Sequence, residues 1–159
     1  MEWTGQSRET ENHIRPAAPE DWEAVWRLVC ALEGEGLSPE IFRGIYMEQM
    51  EDGRFHGLVW APGGRVSAFL NLRMERQLHH AGLVAEIVEL VVSQECRSQG
   101  VGEELVLAAC ALARENGCVQ IEAACNQVRR DAHRFYERMG MRNRHFKFSM
   151  EFSAAGEER

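Results

Sequence analysis

The chain has 159 residues, 45% hydrophobic and 27% charged, enough to bury a full core without disulfide or metal staples. Its 25 acidic residues outnumber 18 basic ones, for a formal charge of −7, and such a surface repels a phosphate backbone and disfavours general nucleic-acid binding. No run reaches the roughly 18 apolar residues of a membrane span, and the polar start from Met1 to Asn12 lacks the apolar stretch of a secretory signal. Five cysteines (Cys30, Cys96, Cys110, Cys118 and Cys125) are an odd number without C-x-x-C spacing. They read as reduced thiols of a cytoplasmic protein.

Residues 1–12 read as a flexible leader, 13–152 as a single domain and 153–159 as a polar tail. His13 to Ala17 is a first short strand. After Asp21, Trp22, Val25, Trp26 and Val29 recur at helical spacing, and Gly34 and Gly36 end that helix. Ser38-Pro39 is a cap followed by a first-turn proline, and Ile41, Phe42 and Ile45 then give a second apolar face. Phe55 to Ala61 and Val66 to Met74, joined by Pro62-Gly63-Gly64, read as an antiparallel hairpin. Ala85 to Val92 is the most strand-like run, rich in β-branched residues. A helix follows, with Val101, Leu105, Ala108, Ala109 and Leu112 on its buried face and Gly117 past its end. Val119 to Ala124 is another strand, Asp131 to Met139 a helix closed by Gly140, and Phe146, Phe148, Met150 and Phe152 alternate as a half-buried last strand. Strands alternating with helices predict an α/β domain.

Between the strongest strand and the strongest helix lies Arg97-Ser98-Gln99-Gly100-Val101-Gly102. Glycines let the backbone approach a ligand closely, and helix-start N–H groups suit a diphosphate. Taken alone, the same G-x-G is equally a tight strand-to-helix turn. A dinucleotide fingerprint does not fit, because Leu105 stands where its third glycine belongs.

The Arg-x-x-Gly-x-Gly pattern resembles the acetyl-CoA signature of the GNAT superfamily of N-acetyltransferases. Downstream, Asp131-Ala132-His133-Arg134-Phe135-Tyr136-Glu137-Arg138-Met139-Gly140-Met141 is similar to that family's second motif, Ala-x-x-Phe-Tyr-x-x-x-Gly-Phe. The resemblance covers most of residues 13–152. It implies a mixed, mostly antiparallel sheet of six to seven strands flanked by about four helices and splayed between strands 4 and 5. It further implies acetyl-CoA as cosubstrate, held by residues 97–102 and by the backbone of Leu90, Val91 and Val92, with His133 of the motif helix facing either the cosubstrate or solvent. Two positions depart from the pattern: Ser98 replaces a usual glycine, and Arg129 replaces a usual asparagine, leaving Asn126 three residues further back.

Acetyl transfer to an amine needs a base for the ammonium, polarisation of the carbonyl and a proton for the departing thiolate. The resemblance implies Tyr136 as the acid. Glu86, fourteen residues before Gly100, resembles the catalytic glutamate of histone-type members, and a carboxylate in an apolar strand is expected to have a raised pKa. Glu89 lies on the opposite face by period-2 alternation unless a bulge intervenes, and it is the alternative base or a substrate contact.

A narrower resemblance rests on Leu78-His79-His80, on Glu86 to Val92, on Arg130 to Tyr136 and on His145-Phe146. These look like the aminoalkylphosphonate N-acetyltransferases of bacteria. A phosphonate pocket needs cations or hydrogen-bond donors, for which Arg43, His80 and His145 are the candidates. Adjacent His79 and His80 project apart if extended. A divalent metal bridging a phosphonate is conceivable, but the spacing assigns no ligands. Alternatives are an aminoglycoside, an amino sugar, a polyamine or a protein amine as acceptor, or a non-catalytic acyl-CoA-binding module on the same fold. The acidic charge suits a cationic acceptor. A homodimer is expected, with the last strand reaching toward a second subunit.

Overall fold

A short strand, Ile14–Pro16 (β1), leads into helix Trp22–Glu33 (α1), whose apolar stripe buries Val25 completely. Gly34 ends α1 at φ +72°, its N–H bonded to the Cys30 carbonyl, the left-handed cap glycine supplies most readily. Ser38 caps helix Pro39–Glu51 (α2), its hydroxyl accepting from the Ile41 N–H at 3.3 Å. The helix turns Phe42, Tyr46 and Met47 inward. Ile41 and Ile45, expected on the buried face, stay 66% and 50% exposed, because the Ile41–Ile45 line lies about 100° around the helix from the Phe42–Tyr46 line that faces the core.

Strands Phe55–Trp60 (β2) and Ala68–Gln77 (β3) form the expected hairpin, and β3 returns antiparallel into Gly82–Val92 (β4). His79 and His80 lie in the turn between β3 and β4. Their rings sit 4.2 Å apart rather than diverging as an extended chain would force. Helix Val101–Glu115 (α3) crosses over to Gln120–Ala123 (β5), which pairs parallel to β4, as a parallel pair requires. The described residues form a five-stranded sheet in the order β1-β2-β3-β4-β5, antiparallel except for β4–β5.

One sheet face carries Val59, Phe69 and Val91 under α1 and α2. Alternate positions Leu70 and Leu72, fully buried, point to the other face, where α3 packs with Leu105, Val106 and Ala109. At about 1.5–3 kcal/mol per buried aliphatic side chain, these two layers hold the sheet rigid beneath the site.

The structure, a computed structural model, describes residues 12–34 and 36–152, so all but the last residue of the expected leader and the expected tail at 153–159 lie outside the described residues. They divide into two compact units, one ending at Ala123 and the other beginning at Ala124. The second unit contains helix Arg130–Arg138 (α4), followed by Gly140 at φ +85°. The expected strand at Phe146–Phe152 is absent: residues 141–152 have no regular structure, and Phe146, Phe148, Met150 and Phe152 are exposed. Alternation alone does not make a strand; a ladder partner must supply the hydrogen bonds. Among the described residues the sheet therefore has five strands, not the six to seven expected.

Candidate active site

The pairing of β3 with β4 slips by one residue between Asn71 and Leu72: Leu72 faces Ile87, whereas Asn71 faces Glu89. Val88 is the extra residue of a β-bulge, 39% exposed. The slip cancels the alternation that would have separated Glu86 from Glu89. Both carboxylates project from the α1/α2 face, alongside Asn71 and Arg73.

Their environments differ. Glu86 is opposite Arg73, with Oε2 2.5 Å from Nη2. Glu89 instead accepts one N–H from Asn71 at 2.8 Å. Burial pushes the Glu89 carboxyl above the usual glutamate range; the Asn71 N–H opposes the rise, and the charge on Glu86 adds to it. Asn71 is 5% exposed, and its amide also donates to Gln49 Oε1 of α2 at 2.8 Å.

Strand β5 follows β4 only to the pair Ile87–Ala123. From Val88 to Val92, β4 keeps β3 on one side and has no strand on the other among the described residues. Glu89 stands on this one-sided stretch. Next to it, a cavity of about 270 Å³ opens between α2 and the sheet, lined among others by Tyr46, Gln49, Phe55, Gly57, Phe69 and Asn71. Tyr46 donates its hydroxyl to the Ala18 carbonyl at 2.8 Å, and burial pushes its phenol up to about 12. Among the described residues lining the cavity none is acidic; its polar side chains are Tyr46, Gln49, His56 and Asn71.

At the far end of β4, Arg97 to Gly100 form an exposed loop before α3. Ser98 at φ +60° and Gly100 at φ +82° both take the left-handed conformation, and a Cβ built at Gly100 meets nothing within 4 Å. Arg97 Nε donates to the Val92 carbonyl at 3.2 Å and Gln99 Nε2 to the Glu95 carbonyl at 3.0 Å, fastening the loop to the strand end. Gly100, with open space around it, caps a 15-residue helix, a backbone arrangement of the kind that binds phosphate groups.

In the second unit, Tyr136 lies on α4 with its ring edge-on to Phe135 at 5.2 Å. Burial, with a smaller contribution from Cys125, pushes its phenol up to about 12. Asn126 Oδ1 accepts from the Val128 N–H at 3.1 Å, and His133 Nε2 bonds the Asn126 carbonyl at 3.0 Å, so both residues brace the turn before α4.

The residues expected to bind the acceptor each have their own surroundings. The Arg43 guanidinium sits 5.6 Å from the centre of the Trp22 ring in a separate depression with Pro39, Glu40 and Met47. His80 lies 3.5 Å from Glu122 and 3.4 Å from Gln120 near the start of β5. His145 is exposed in the irregular segment after α4. Among the described residues no group of three or more His, Cys, Asp or Glu side chains is arranged to hold a metal ion. Sequence reasoning missed Asn71, Gln49 and Arg73. Asn71 carried a signal, as a lone amide inside the apolar run Ala68 to Leu72.

Three comparisons bear on this arrangement. The model of the acetyltransferase (GNAT) family matches residues 16–141. An aminoalkylphosphonate N-acetyltransferase from Salmonella typhimurium is 37% identical over 136 residues, 86% of this chain and 88% of that protein. Among solved structures, a transcriptional regulator from Bacillus halodurans superposes with a TM-score of 0.82 at 26% identity, covering 87% of this chain and 98% of its own. Glucosamine-6-phosphate N-acetyltransferase from Arabidopsis thaliana shares the fold at a TM-score of 0.75 and 23% identity, over 88% of this chain and 97% of its own.

Proposed function

Because the chain belongs to the GNAT family of acetyltransferases, we propose that it acetylates the primary amine of a small aminoalkylphosphonate, with Glu89 rather than Glu86 as the base. The observation that carries this reading is the position of Glu89: a half-buried carboxylate with raised pKa on the stretch of β4 that β5 no longer pairs, beside the α2 cavity.

Acetyl-CoA, when bound, supplies an activated acetyl thioester. The N–H groups of residues 97–102 hold its diphosphate, and the backbone of Leu90, Val91 and Val92 holds the pantetheine arm as an added strand would. Glu89 takes the proton from the acceptor's ammonium, which frees the nitrogen lone pair for attack, and its raised pKa brings it closer to that task at neutral pH. Glu86 is engaged by Arg73 across the strand pair, and its charge contributes to the field around Glu89. Tyr136, its phenol pushed up to about 12 by burial, is the proton donor that the family pattern gives this position.

Two observations support the phosphonate acceptor. One is the relative of that activity at 37% identity. The other is the cavity lining, which offers hydrogen-bonding groups and no carboxylate in a chain of net charge −7, with Glu89 beside it as the one carboxylate for the amine. The test is thiol release from acetyl-CoA with aminomethyl- and aminoethylphosphonate, glucosamine phosphate, spermidine, an aminoglycoside and a short peptide, with and without divalent metal. Turnover led by the phosphonates, and lost by about 10²-fold or more in Glu89→Gln, is expected. Turnover confined to other amines overturns the substrate, and silence with acetyl-CoA still bound overturns catalysis.

A further inference from the structure

The carboxylate of Glu89 can only accept hydrogen bonds. Asn71 must therefore turn its NH₂ group toward it, and the observed contact of 2.8 Å is of that kind. The second N–H of the same nitrogen goes to Gln49 Oε1, also at 2.8 Å. An asparagine with both N–H groups engaged leaves Gln49 no choice of orientation: its oxygen points to Asn71, and its own NH₂ is the free end. That NH₂ has no partner among the described residues. Asn71 is 5% exposed and anchored in the middle of the sheet, whereas Gln49 rides on α2; both line the cavity. One acidic side chain thus dictates, through two amides, that the cavity wall presents a hydrogen-bond donor.

We propose that Gln49 is a specificity-determining residue whose NH₂ binds an oxygen of the acceptor's anionic group, and that Asn71 is the positioning residue that orients it. The acceptors favoured are primary amines bearing an oxyanion a short distance from the nitrogen. This rests on the acceptor lying in the α2 cavity, as under the proposed function, but not on Glu89 being the base.

Gln49→Glu is the discriminating variant, because a carboxylate still accepts from Asn71 but loses the NH₂ and adds a repelling charge. Rates are to be measured with the panel amine carrying an oxyanion that turns over best, and with an amine of similar length lacking one. The ratio of kcat/KM between them is expected to fall by about tenfold or more, the worth of one hydrogen bond to a charged group, with the loss appearing mainly in KM. Asn71→Leu is expected to lower the same ratio and also to move the acidic limb of the kcat/KM profile upward, since Glu89 loses the N–H that stabilises its charge; a purely structural defect would move neither. Thermal melts show whether Asn71→Leu folds, and Gln49→Glu decides the question if it does not. An unchanged ratio in Gln49→Glu, or an equal fall for both amines, overturns the proposal. A wild-type enzyme that turns over no oxyanion-bearing amine overturns this proposal and the phosphonate reading together. Wild-type kcat in Glu89→Gln removes only the base assignment.

Discussion

Arg73 and Glu86 face each other across β3 and β4 with 2.5 Å between Nη2 and Oε2, next to the bulge that brings Asn71 opposite Glu89. The ion pair and the raised carboxyl share one sheet face and are electrostatically linked, since the charge on Glu86 is one of the causes of the upward shift at Glu89.

Removing that charge should therefore be legible in the pH profile. In Glu86→Gln the repulsion on Glu89 disappears and the Arg73 cation is left without its carboxylate partner, and both changes favour ionised Glu89. The acidic limb of kcat/KM is expected to move to lower pH, with kcat at neutral pH reduced far less than in Glu89→Gln. A limb that stays in place, measured from pH 5 to 9 with acetyl-CoA saturating, would separate the two carboxylates electrostatically.

The loop before α3 holds a serine in a conformation that favours glycine. Ser98 at φ +60° carries a strain of about 1–2 kcal/mol, partly offset by the roughly 0.4–1 kcal/mol that a more flexible unfolded chain would cost a glycine variant. Ser98→Gly is expected to raise the melting temperature by a degree or two, on the order of 0.5 kcal/mol at this chain length. Gly100→Ala has open space for its methyl group yet sits at φ +82°; it should lower the melting temperature and raise the KM for acetyl-CoA. Calorimetry and initial rates check both.

Gly57 is a glycine for a different reason. A Cβ there would lie 3.0 Å from Ala17 Cβ and 3.2 Å from the Phe69 ring, both in the core. Gly57→Ala is expected to destabilise by about 1–3 kcal/mol, and to raise the acceptor KM more than the acetyl-CoA KM because Gly57 and Phe69 line the cavity.

Asp21 ties the chain entry to the sheet. Buried to 6% exposure, it accepts two N–H groups from Arg15 at 2.7 and 2.9 Å and one from the Ala18 backbone at 2.8 Å. The Arg15 bonds, against a cost of burial, hold its carboxyl below the usual aspartate range. A depressed folded pKa means that the stabilisation is complete above the unfolded value near ~4 and is lost as pH falls through the folded value. Asp21→Asn should lower stability at pH 7 by about 2 kcal/mol, and the gap between variant and parent should narrow below pH 4. Thermal melts at pH 3, 4, 5 and 7 measure it; a gap independent of pH would mean that packing, not charge, is lost.

Local chemistry made most of the fold legible. The cap at Ser38-Pro39, the stop at Gly34 and the turn at Pro62-Gly63-Gly64 each act through neighbours a few residues away, and all three stand where their residue types place them. Pairing is not local, and there the reading failed: the strand anticipated at Phe146–Phe152 has the right alternation but no partner among the described residues. The bulge was invisible for a related reason. Nothing in Ala85 to Val92 marks Val88 as the extra residue, because its status depends on which residue of β3 lies across from it. The loop before α3 was legible because the backbone demand for glycine and the helix start are both written in adjacent residues. The hydrogen-bonded series Gln49–Asn71–Glu89 was not, since its members come from three separate elements and meet only in the folded chain.

The one-residue slip at Val88 also bears on how such a site tolerates a change of length. Deleting Val88 would leave Ile87 opposite Leu72 and Glu89 opposite Asn71, with the two carboxylates now two positions apart and on one face by plain alternation. The bulge absorbs an odd residue and keeps Glu86 and Glu89 together, and what the deletion would take away is the local bend and added twist that a bulge gives its strand. The carboxylate pair can therefore outlast the gain or loss of a single codon at this point, while the direction in which the strand runs past it changes.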